Sequence, residues 1–135
     1  MKVYLASRYS RRSEMQHIAN VLEGIGCEIT SRWINGNHQI SDEGLSIEAK
    51  QEERIRFAVE DMEDLLAANC CIAFSETPRG TNSRGGRHVE FGIALGNCMR
   101  CIVIGPRENV FHCLPEVEWY PDLEAFLSNN QRLVA

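Results

Sequence analysis

Lysine is almost missing from this 135-residue chain: Lys2 and Lys50 stand beside 12 arginines. Positive charge in excess is missing as well, since 14 basic residues meet 19 acidic ones for a net charge of −5. That balance argues against a nucleic-acid polymer or an anionic membrane surface as partner. Long apolar runs are lacking: none approaches the roughly 20 residues of a membrane span. Met1 leads into a short strand-like stretch, not into the charged and apolar regions of a secretion signal, so a cytoplasmic location is expected. With 44% hydrophobic and 24% charged residues, the composition is that of an ordinary soluble globular protein, and the length suits one domain over residues 1–135.

Cysteine is the exception to this scarcity, with six: Cys27, Cys70, Cys71, Cys98, Cys101 and Cys113. A domain of this size buries enough surface to stand without disulfide staples. Cys98 and Cys101 have the spacing of a redox or zinc half-site, but no second pair completes a metal centre, and the adjacent Cys70 and Cys71 would face opposite sides of a strand. All six are expected to be reduced, mostly small apolar fillers. No metal and no cofactor is expected.

What is present is an alternation of short apolar runs with amphipathic stretches. Residues 2–6 read as a buried first strand. A helix capped by Ser10 runs to about Glu23, with Met15, Ile18, Ala19, Val21 and Leu22 as its stripe and Gly24 and Gly26 at its end. Residues 27–30 read as an edge strand, and 31–47 as a long polar segment of functional character. A helix over about 46–68 carries Ile55, Ala58, Val59, Met62, Leu65 and Leu66 on one face. Strands at 70–74, 100–104 and 116–120, a helix at 89–95 and a last helix opened by Pro121 and Asp122 complete the chain. Near-continuous apolar strands alternating with helices indicate an α/β fold: a flavodoxin-like, doubly wound, five-stranded parallel sheet with helices on both faces. Ligands of such folds lie beyond the carboxyl ends of the strands.

The residues that follow the first four strands are therefore informative. Eight of the 12 arginines (8, 11, 12, 32, 79, 84, 87 and 107) fall there, among hydroxyls and glycines. The clustering points to an anionic small molecule, most simply one bearing a phosphate; solvated loop charges are the plainer alternative. Residues 83–95 read SRGGRHVEFGIAL. Gly85 and Gly86 allow close backbone approach at a helix start, and Glu90, about one turn inside, is expected to stay ionised in the field of that terminus. Other nucleotide folds are not supported: the lysine of a P-loop is missing, as is G-x-G-x-x-G after the first strand, and Ser7, Arg8 and Ser75 stand where a receiver domain needs acids.

Three blocks in order resemble the nucleoside 2-deoxyribosyltransferases and the related 2′-deoxynucleoside 5′-phosphate N-hydrolases. They are Val3-Tyr4-Leu5-Ala6; Asp61 followed eight residues later by Asn69 and an apolar strand; and the block from Gly86 through Glu90 and Gly92 to Ala94. The resemblance covers about residues 2 to 127 and implies cleavage of an N-glycosidic bond. It implies Glu90 as the nucleophile at the sugar's anomeric carbon, Tyr4 as the residue positioning that carboxylate, and Asp61 beside the base. Asn69 departs from the usual Asp. Arg84 stands six positions before the nucleophile, where the nucleotide hydrolases hold a serine and some transferases an acid. With Ser7, Arg8, Arg11, Ser83, Gly85, Gly86 and Arg87 it favours a nucleoside 5′-monophosphate over a free nucleoside. Trp33 is a candidate to stack on the base or to anchor its loop. The resemblance further implies a homodimer or higher homo-oligomer with shared sites, the segment from Asn109 to His112 being the candidate donor. Base exchange on free deoxynucleosides, a non-catalytic nucleotide sensor, and a thiol-redox role for Cys98 and Cys101 are the competing readings.

Overall fold

The computed structural model describes residues 1–36, 50–81 and 83–131. The central strands are the apolar runs. β1 (Lys2–Ala6), β3 (Cys70–Phe74) and β4 (Arg100–Ile104) are buried almost throughout, because each has a neighbour on both edges and helices over both faces. β2 (Glu28–Ile29) is a short edge strand, two residues shorter than the pattern predicts, and β5 (Val117–Tyr120) closes the opposite edge. The order is β2-β1-β3-β4-β5, all parallel, as expected of a doubly wound sheet.

α1 (Arg12–Gly24) buries Met15, Ile18, Ala19 and Leu22, the predicted stripe without Val21, which is half-buried. Ser10 does not cap it. A turn of 3-10 helix, Tyr9–Arg11, comes first, and the N-cap position falls to Arg11 without a side-chain hydrogen bond. A second such turn, Arg32–Asn35, orders the start of the segment expected to be irregular; residues 37–49 lie outside the described residues. α3 (Gly86–Gly96) starts three residues earlier than its apolar period shows, because Gly85 at φ +84 takes the left-handed cap conformation. A 3-10 turn, Val110–Cys113, follows β4, and the Asn109 side chain caps it by accepting from the Phe111 N–H. α4 (Leu123–Asn129) is capped by Asp122. At the end of β4, Gly105 (φ +117) lets its backbone lie against Ser75, where a Cβ would come 2.7 Å from the Ser75 Oγ.

α2 (Gln51–Leu66) carries the predicted apolar face, but of that face only Leu65 is buried; Ile55, Ala58, Val59, Met62 and Leu66 are exposed, Val59 by 51%. Periodicity shows that a helix has an apolar face, not what covers it. α2 rests on α3 and on the 3-10 turn at Arg32–Asn35, and that contact uses Asp64 and Leu65. Asp64 is the anchor: its carboxylate accepts from the Arg32 Nε at 2.8 Å and the Arg32 backbone N–H at 2.9 Å, and its carbonyl accepts from Thr30 Oγ1 at 2.8 Å. All six cysteines are free thiols; Cys98 and Cys113 are exposed and the rest buried. Among the described residues, no helix is long and apolar enough to cross a membrane.

Candidate active site

Register places Tyr4, Cys71 and Cys101 side by side across β1, β3 and β4, hence on one face of the sheet. α3 covers that face, and Glu90, in its second turn, receives the Tyr4 phenol proton on Oε2 in a very short hydrogen bond. Tyr4 is fully buried. Burial first, then the negative potential of Glu90 and Asp61, holds the phenol protonated far above its ordinary pKa. It therefore keeps its proton to donate and does not act as a phenolate.

Glu90 differs from the expectation. Burial pushes its carboxyl up to about 8; the Tyr4 hydrogen bond pulls the other way, and the neighbouring Asp61 charge adds to the rise. The helix terminus does not offset desolvation, because Glu90 lies beyond the first turn, where the dipole's influence has faded.

In front of this pair opens a cleft of about 800 Å³. Its walls come from the loop after β1 (Ser7, Arg8, Tyr9, Ser10), from Trp33, from Asp61 on α2, and from residues 79–81 and 83–87 with Glu90. The loops lie where a doubly wound fold keeps its ligand. Tyr4 stands behind Glu90 rather than in the wall. Trp33 anchors its loop: it is 5% exposed and donates its indole N–H to the Leu5 carbonyl at 2.8 Å, while also bordering the cleft.

The arginines separate into two groups. Arg8 borders the cleft, its Nη1 3.4 Å from Thr81 Oγ1 and its Nε 3.6 Å from Glu76, with no hydrogen bond made by that buried Nε. Arg79 and Arg84 also border it, exposed on the loop leading to α3. Arg11 lies outside the lining; it is held by Glu76 at 2.8 Å, by the Ser75 carbonyl at 3.2 Å and by Glu14 at 2.5 Å. Arg87 borders the cleft, but its terminal nitrogens form a bidentate ion pair with Glu108 at 2.5 and 2.6 Å. Asn109 is likewise outside the lining, occupied with Phe111 N and His88.

Glu76 and Glu108 are what sequence reasoning missed. Both stand in the loops where the arginines were counted, so the signal was present as acids interleaved with bases. Burial alone would favour the neutral form of Glu108, yet Arg87, the Glu76 backbone N–H and the His88 charge hold it down to about 2.

No protein-family model matches the chain, and no curated protein matches it in sequence. Among solved structures, it is similar to the 2-deoxyribosyltransferase of Bacillus psychrosaccharolyticus, with 19% identity and a TM-score of 0.61 over 82% of this chain and 79% of that one. It is also similar to the CMP N-glycosidase BcmB of Clostridium botulinum, with 17% identity and a TM-score of 0.54 over 96% of each chain. At these identities the likeness establishes a shared fold, that of a 2-deoxyribosyltransferase and a nucleotide N-glycosidase.

Proposed function

We propose that this protein cleaves the N-glycosidic bond of a nucleoside or deoxynucleoside 5′-monophosphate and releases the free base. The observation that carries the reading is the Tyr4–Glu90 pair at the wall of a polar, arginine-bordered cleft. The ionised Glu90 attacks C1′ of the sugar. The C1′–N bond breaks with its electrons going to the base, which takes up a proton from water, and Asp61 orients the base. Water then attacks C1′, gives up a proton to solvent and releases Glu90. A carboxylate fixed beside a carbon that gains oxocarbenium character stabilises that charge, and a covalent glycosyl-enzyme divides the barrier in two.

Arg8, Arg84, Ser83 and the N–H groups at Gly85 and Gly86 form the phosphate end. Ser7 and Trp33 border the sugar and base. The exposed apolar residues of α2 (Ile55, Val59, Met62 and Leu66) make a helix face suited to a second copy of the chain. Asp61 on the same helix borders the cleft, so a homodimer formed through α2 would bring one subunit near the other's cleft.

The test is incubation with nucleoside monophosphates and with free deoxynucleosides, each with and without a second base. Free base from monophosphates is the expected product. Exchanged nucleoside from free deoxynucleosides would replace hydrolysis by transfer, and no turnover with intact nucleotide binding would leave a sensor.

A further inference from the structure

Arg87 precedes Glu90 by three positions in α3, and side chains at that spacing are neighbours on one helix face. Both border the same cleft. Arg87 is only 6% exposed, so its guanidinium has little access to water and needs a protein acceptor. Glu108 supplies two, one to each terminal nitrogen. Glu108 is itself fixed from three sides. Its Oε1 accepts the Glu76 backbone N–H at 3.1 Å, its Oε2 lies 3.6 Å from His88 Nε2, and its own N–H donates to His112 Nδ1 at 3.0 Å.

We propose that Glu108 is a positioning residue that keeps Arg87 away from Glu90, and so leaves the Glu90 carboxyl held by Tyr4 and free of an ion pair. A released guanidinium at i−3 would pair with Glu90, compete with the Tyr4 hydrogen bond and draw off the electron density needed for attack on C1′. The groups that face Glu90 are Tyr4, Asp61 and the Cys71 thiol, none of them cationic. The arginines of the cleft wall do not figure among those groups, so an arginine released at i−3 would put a positive charge directly against the carboxyl. The rate consequence rests on the proposed role of Glu90; the electrostatic consequence does not.

The experiment compares the wild type, Glu108→Gln, and the double variant Arg87→Met/Glu108→Gln. The carboxyl of Glu90 is followed by NMR titration of carbon-13-labelled glutamate, assigned with Glu90→Gln, and base release is measured in parallel. Glu108→Gln is expected to move the Glu90 midpoint down by about one unit or more, as an adjoining opposite charge does. On the alkaline plateau, where Glu90 is ionised in both proteins, it is also expected to lower kcat about tenfold with KM little changed, because the ion-paired carboxylate is the weaker nucleophile. The double variant, having no guanidinium to release, is expected to return the midpoint and recover most of the lost kcat. A clamp that merely braces the fold predicts an unmoved midpoint in the single variant and a double variant no better than it; either result overturns the proposal. If Glu108→Gln does not fold, Glu108→Asp is measured instead, and an unmoved midpoint there overturns the proposal equally. A wild type that releases no base from any nucleotide refutes the proposed activity, while the titration still decides the role of Glu108.

Discussion

Tyr4 and Glu90, 86 positions apart in the chain, meet through the phenol proton on Glu90 Oε2, the strand residue reaching across to the helix that covers it. The pair sets opposing demands on one carboxyl. Burial raises its pKa to about 8, while the phenol hydrogen bond favours the ionised form. In the proposed reaction the attacking species is the carboxylate, so kcat/KM should rise with pH and reach half its plateau near 8. Tyr4→Phe removes the pull toward ionisation, so the half-point should move higher and the plateau should fall about ten- to a hundredfold. A pH–rate series on both proteins checks this, and a half-point that stays in place or falls in Tyr4→Phe refutes the account.

The same carboxyl affects stability. Its folded pKa lies above the unfolded value of roughly 4.3, so between the two the folded state holds a proton that the unfolded state has lost. Stability contributed by the neutral form is therefore complete below the unfolded pKa and lost as pH rises through about 8. Glu90→Gln, neutral throughout, should gain on the wild type from pH 5 to pH 9 by on the order of a few kcal/mol. Denaturant unfolding at the two pH values measures it. Glu108 works in the opposite sense: its folded pKa of about 2 gives stability that is present above the unfolded value and lost on acidification.

The strands were legible in the sequence because a parallel sheet covered on both faces leaves uninterrupted apolar runs, and residues 2–6, 70–74 and 100–104 are such runs. The start of α3 was less so: its boundary depends on the left-handed conformation of Gly85, a backbone property that apolar periodicity does not report. Tyr4 and Glu90 could be paired through a family resemblance. The loop arginines misled in part, since counting one sign of charge leaves out its partners. Arg11 and Arg87 are engaged by Glu76 and Glu108, which only the meeting of the segments after β1, β3 and β4 brings together. The apolar face of α2 was legible as a face, but periodicity does not report what covers it, and in the folded chain only Leu65 of that face is buried.

Arg8 and Arg84 border the cleft, and a charge-assisted bond to phosphate has no counterpart on a bare 5′-hydroxyl. Arg84→Ala should therefore raise KM for monophosphates about tenfold or more and leave KM for free nucleosides within about twofold. Arg11→Ala should not discriminate between the two substrates, since its guanidinium is spent on Glu14, Glu76 and the Ser75 carbonyl. Steady-state kinetics on a matched nucleotide and nucleoside settles both, and an equal effect of Arg84→Ala on the two removes it from the phosphate site.

The apolar stripe on α2 gives the last prediction. Val59 and Met62 sit on that stripe, away from the contacts that α2 makes through Asp64 and Leu65. A charge introduced at either position leaves the folded subunit largely undisturbed, yet it would have to be desolvated in an interface between two copies. Val59→Glu and Met62→Glu should accordingly give folded monomers, with melting temperatures no lower than dissociation itself accounts for. Sedimentation equilibrium over a range of concentrations separates the states. Because α2 also carries Asp61 to the cleft, base release should fall along with association and recover as protein concentration is raised. A wild type that sediments as a monomer, or a Val59→Glu variant that still dimerises, refutes α2 as the meeting face. Activity unchanged in a proven monomer would keep the interface and remove the sharing of sites.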